Sequence, residues 1–107
     1  MYPTKTALRK RQLHDIQVVW KQHKIDPLPI TCAGDMVDSI NILQLIGQVG
    51  HIVERFLESQ KIAQVYLKAL SSYQGQAQHI MGTMQGERQE YFARLYWLCQ
   101  LVIEYYE

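Results

Sequence analysis

At 107 residues, 48% of them hydrophobic and 20% charged, the chain has the length of one domain and enough apolar material for one packed core, which excludes a compositionally disordered segment or a pair of domains. Every apolar run is cut by a charge or a glutamine well short of the roughly 20 residues that cross a bilayer, and the charged start holds no apolar leader core, so neither a membrane span nor a secretory leader is expected. The formal net charge of +1 hides an asymmetry: residues 1–24 hold Lys5, Arg9, Lys10, Arg11, Lys21 and Lys24 against Asp15 alone, a formal +5 that leaves −4 for the remainder.

The first predicted element is a helix from Thr4, an acceptable N-cap after Pro3, to Lys24. At 100° per residue, Leu13, Ile16, Val19 and Trp20 share one face, while Lys10, His14 and Lys21, with Arg11 and Lys24 at the edges, share the other. It is a basic amphipathic helix. Residues 25–34 follow as a linker around Pro27 and Pro29.

Asp35 and Asp38 then mark a helix start, since carboxylates suit the positive end of a helix dipole. From Ile42 an apolar seam runs through Leu45, Val49, Ile52 and Phe56, breaks only at Ser59, and resumes at Ala63, Tyr66, Leu70, Tyr73, Ala77, Ile80 and Met84. Such a seam fits one long coiled-coil helix over 35–84. The competing reading turns the chain at 58–61 and makes two ordinary helices. The single helix is the favoured expectation.

A second stripe, Met36, Ile40, Leu43, Gly47, Gly50, Val53 and Leu57, widens the apolar arc of the first half. Gly47 and Gly50 each cost roughly 1 kcal/mol relative to alanine, which points either to a closely approaching helix or to simple tolerance. Residues 83–86, flanked by Gly82 and Gly86, form a turn, and Glu87 and Glu90 open a last helix over 87–107. Its apolar residues, among them Tyr91, Phe92, Leu95, Leu98, Cys99 and Val102, spread over roughly 200°, about twice what one antiparallel partner covers. Glutamines 74, 76 and 78 read as solvated helix surface. Strand alternation is absent. The expected fold is therefore all-α: one domain over 1–107, a bundle or long hairpin of three to four helices, dimeric through a coiled-coil-like seam.

Two surfaces stand out as candidates for function. The basic face, Lys10, Arg11, His14, Lys21 and Lys24, suits an acidic protein partner or the phosphates of a nucleic acid, or is simply solvated. No aromatic residue interleaves these cations, and no short turn follows to make a helix-turn-helix, so any nucleic-acid contact would go to the backbone with low specificity. The second surface is aromatic. Trp97 projects near Glu90 and Glu104, away from the apolar arc, and with Tyr66, Tyr73, Leu101 and Tyr105 it makes a candidate protein interface.

Support for catalysis is thin. The four histidines, His14, His23, His51 and His79, form no i, i+4 pair, and no helical ExxH motif accompanies the Glu54/Glu58 or Glu87/Glu90 pairs, so no metal or other cofactor is expected. The glycines are scattered and make no phosphate loop. Cys32 and Cys99 lack CxxC spacing and read as reduced thiols in a cytoplasmic protein, with Cys99 buried and inert. Arg9 and His14 make an Rx4H spacing that resembles the motif of helical HEPN ribonucleases, a likeness of six residues that implies a phosphodiester-cleaving Arg–His pair. Lys10 departs from that family's pattern, where a polar residue follows the arginine, and the spacing lies in the first helix rather than a late one. A surface histidine is the preferred account of His14. The expected function is thus a non-catalytic adaptor or regulator acting through protein–protein contact, self-associating. The alternatives are a nucleic-acid accessory protein and, last, a HEPN-like ribonuclease.

Overall fold

A computed structural model describes the backbone over 5–26, 36–37 and 39–106 and the side chains over 7–26 and 39–106. It is an all-α bundle of four helices among these residues: α1 (Lys5–Ile25), α2 (Ile42–Ser59), α3 (Gln64–Gly82) and α4 (Glu87–Tyr105). The expected N-cap Thr4, the proline linker and Cys32 lie outside the described residues.

The helix expected to start at Asp35 instead starts at Ile42. Two short antiparallel strands, β1 (Met36–Val37) and β2 (Ile40–Asn41), pair Met36 with Asn41 and Val37 with Ile40. Ser39 turns between them at φ 71°. Asn41 then caps α2 through its side-chain oxygen, which accepts from the Gln44 backbone N–H at 2.9 Å. An asparagine satisfying an otherwise orphaned amide at that position sets the boundary more firmly than the dipole preference of Asp35 and Asp38. Strands of two residues are too short to show as alternation.

The single helix over 35–84 is also not what forms. The chain breaks within the alternative span, after Ser59, and the break is built from side chains. The Ser59 hydroxyl donates to the Arg55 carbonyl at 3.1 Å and accepts the Lys61 amide at 3.3 Å. Gln60 adopts left-handed backbone at φ 55°, its amide donates to the Phe56 carbonyl at 2.6 Å, and its Nε2 donates to the Leu57 carbonyl at 2.7 Å. Local bonds of this kind give the backbone an alternative to helix continuation.

The seam therefore folds back on itself. Ile42, Leu45, Val49, Ile52 and Phe56 on α2 and Leu70, Ala77 and Ile80 on α3 are all buried in one core within one chain, while Ser59, Ala63 and Tyr66 at the break are exposed.

The turn expected at 83–86 is present. Thr83 donates through its amide and its hydroxyl to the Ile80 carbonyl at 2.9 and 2.8 Å, and Gly86 takes φ 66°, a conformation that glycine adopts without strain. Glu87 and Glu90 occupy the first turn of α4. This last helix is the hub, packing on α3 most extensively and also on α1 and α2. Three neighbours explain its wide apolar arc: Phe92, Leu95, Leu98, Cys99 and Val102 are fully buried. The apolar excess read as a surface for self-association is thus largely consumed inside the monomer.

Of the two glycines singled out on α2, Gly50 meets a close neighbour. A Cβ built there would lie 3.3 Å from the Trp20 ring of α1, whereas around Gly47 nothing comes within 4 Å.

Candidate interaction surfaces

On α1 the apolar period places Ile16 in the core, with Leu13, Val19 and Trp20 packed against it, and so turns Lys10, Arg11, His14, Lys21 and Lys24 to solvent. None of the four lysines and arginines in that set pairs with a carboxylate among the described residues, where the ion pair is Arg94 with Asp26 at 3.2 Å. The face is not purely polar. Val18 is 52% exposed and Ile25 64%, and both fall between the cations on the helix surface.

The packing also brings aromatics to the basic helix that the sequence reading did not foresee. Lys24 Nζ lies 5.9 Å over the Trp20 ring, and the Arg9 guanidinium lies 5.8 Å over the ring of Tyr105 from α4. Arg9, Lys10, Leu13, Gln60 and Tyr105 line an open groove of about 350 Å³. Arg9 and His14 do not converge. Five residues apart on a helix, they are separated by about 140° of arc, Arg9 reaching Tyr105 and His14 standing on the exposed face.

The five candidate interface residues differ in exposure. Tyr73, Leu101 and Tyr105 are half-buried against the core, Tyr105 edge-on to Phe56 at 4.9 Å. Tyr66 is exposed beside the α2–α3 turn under the Arg55 guanidinium at 5.7 Å. Trp97 is 49% exposed on the outer side of α4, with the exposed Glu90 and the half-buried Glu104 each about two turns away on the same side. The glutamines expected to be solvated divide as well: Gln78 is exposed, but Gln74 Nε2 donates to Gln100 Oε1, whose Nε2 donates to Glu104 at 2.9 Å.

The residue that sequence reasoning passed over is His23. It is 5% exposed, its ring stacked 6.0 Å from Trp20 and tilted at 4.5 Å against Tyr91. Burial, reinforced by the Arg94 charge and opposed by Asp26, lowers it to about 4, so the imidazole is neutral at neutral pH. Its Nδ1 and Arg94 Nε are both buried without a hydrogen-bond partner. Sealed between two rings, His23 ties α1 to α4 and is closed to substrate. Its position three residues after Trp20 and seven after Ile16 is the signal that places it on the buried stripe.

Cys99 is buried, and burial pushes its thiol up to about 12, which holds it as an unreactive thiol. Among the described residues no group of three potential metal ligands comes together, and no helix is long and apolar enough to cross a membrane. No family model, curated protein or solved structure matches this chain.

Proposed function

We propose that the protein is a non-catalytic helical binding module, an adaptor or regulator, that docks the outer face of α1 on an acidic protein surface and self-associates. The observation that carries this reading is the composition of that face: Val18 and Ile25 stand exposed among Arg11, His14, Lys21 and Lys24. Phosphate contacts need only the cations, whereas apolar residues inside a charged rim are the pattern of a protein interface. The separation of Arg9 from His14 supports a non-catalytic role, and the buried thiol of Cys99 suits a reducing, cytoplasmic setting.

A nucleic-acid role is the second reading, favoured by Lys24 over Trp20 and Arg9 over Tyr105, since cations beside aromatic rings suit exposed bases. Affinity capture from the native host separates the two, with wild type, Val18→Ser/Ile25→Ser, and Lys10, Arg11, Lys21 and Lys24 all reversed to Glu run in parallel. Proteins retained by wild type and lost from both variants are the expected result. The same proteins on all three baits would overturn the reading. Duplex DNA binding that is indifferent to the serine pair, with a log–log salt slope of roughly −3.6 for four phosphate contacts, would install the nucleic-acid role instead. Purified protein should leave RNA uncut; cleavage abolished by His14→Ala would establish a ribonuclease.

A further inference from the structure

We infer that the acidic surface met by α1 is the Trp97 strip of α4 on a second copy of this chain, an inference that rests on the docking role proposed for α1. On α1, Arg11, Val18, Lys21 and Ile25 lie within about 80° of arc on the solvent side. On α4, Glu90, Trp97, Leu101 and Glu104 lie within about 60° of arc on the outer side. Each strip runs over 15 residues, about 21 Å of helix from end to end, and each centres on one exposed apolar side chain, Val18 at 52% and Trp97 at 49%.

The strips are opposite in charge. With Val18 laid against Trp97 in either helix direction, Arg11 comes level with one terminal glutamate, Glu90 or Glu104, and Lys21, about one turn beyond Val18, lies toward the other. The contact buries an exposed tryptophan and two exposed aliphatic side chains inside a rim of unlike charges.

Charge also selects the pairing. Two α4 strips face to face would set Glu90 and Glu104 against carboxylates, and two α1 faces would set cations against cations; like-charge juxtaposition disfavours both. Nor can α1 reach the strip of its own chain. Its inner side is already fixed to α4 by His23 against Tyr91, Arg9 over Tyr105 and Asp26 with Arg94, so its outer side points away. Each copy offers one strip of each kind, and a closed pair makes the contact twice.

Sedimentation of the full chain over a micromolar concentration series tests this. Wild type should dimerise reversibly, and more weakly as salt rises. Arg11→Glu/Lys21→Glu and, separately, Glu90→Lys/Glu104→Lys should each weaken self-association by about tenfold or more. Mixed in equal amounts the two variants should pair again, because each restores the charge the other has lost; circular dichroism melts certify that both are folded. Wild type monomeric throughout, or a mixture that stays apart while its folded components do, would overturn the inference. Monomeric wild type beside proteins captured through the α1 face would overturn this partner and keep the docking role; with nothing captured, both fall.

Discussion

The two sides of α1 use similar residue types to opposite ends. The inner side buries Ile16 and His23 and lays Trp20 against Gly50 of α2, while the outer side exposes Val18, Ile25 and His14 among cations. An imidazole three residues from a tryptophan, sealed against Tyr91, is a packing element. An imidazole on the outer face between cations, His14, stands exposed on the face proposed for binding. The comparison teaches that residue identity does not assign the role on this helix; the neighbour supplied by α4 or α2 does. It follows that inner substitutions should act on stability and outer substitutions on association.

The largest effect is expected at Ile16, whose side chain is fully buried. Ile16→Ala should cost about 3 kcal/mol of unfolding free energy in urea titration, from lost burial and the cavity left behind. Val18→Ala, two residues on and on the opposite face, should change stability by less than about 0.5 kcal/mol. Equal costs at the two positions would erase the distinction between the sides.

Next in size is a pH effect of His23. Its folded value of about 4 lies below the ordinary 6.5, so between those values the unfolded chain binds the extra proton, and stability falls as the pH falls. The contribution is fully present above about 6.5, and about 2 kcal/mol of it is lost between pH 7.5 and pH 5. His23→Phe keeps an aromatic ring between Trp20 and Tyr91 and should remove that share of the slope. A slope unchanged in the phenylalanine variant would show that another group carries it.

Smaller effects follow at the two glycines of α2. Gly47→Ala places a methyl in open space and should stabilise by about 0.8 kcal/mol through helix propensity. Gly50→Ala meets the Trp20 ring at 3.3 Å and should return less than half of that gain. Identical gains in thermal melts would mean that Trp20 does not press on α2. The smallest stability change is expected for reversing Lys10, Arg11, Lys21 and Lys24 to Glu, within about 0.5 kcal/mol for each.

Legibility in the sequence followed the kind of signal each feature leaves. The 83–86 turn was readable because Gly82 and Gly86 punctuate it, and the faces of α1 because Leu13, Ile16, Val19 and Trp20 repeat at helical spacing. The α2–α3 break was obscured because the apolar register continues across it; Ser59, the lone residue out of register, was its trace, and the hydrogen bonds of Ser59 and Gln60 that make the turn leave no periodic mark. Asp35 and Asp38 set the expected α2 start seven residues too early because Asn41, the actual cap, follows a hairpin of only two pairs. Trp97 was placed correctly outside the arc of α4. Which of the five aromatic and aliphatic interface candidates are exposed and which half-buried is not legible, since it depends on the elements packed beside them, and spacing along one helix does not report its neighbours.

A dilution series of backbone amide spectra on isotope-labelled wild type tests the division of α1 most directly. Concentration-dependent shifts should appear at Val18, Lys21 and Ile25 and at Trp97, while the amides of Ile16 and His23 stay fixed. Shifts centred on Ile16 and His23, or a spectrum in which Val18 and Trp97 never move, would contradict the account.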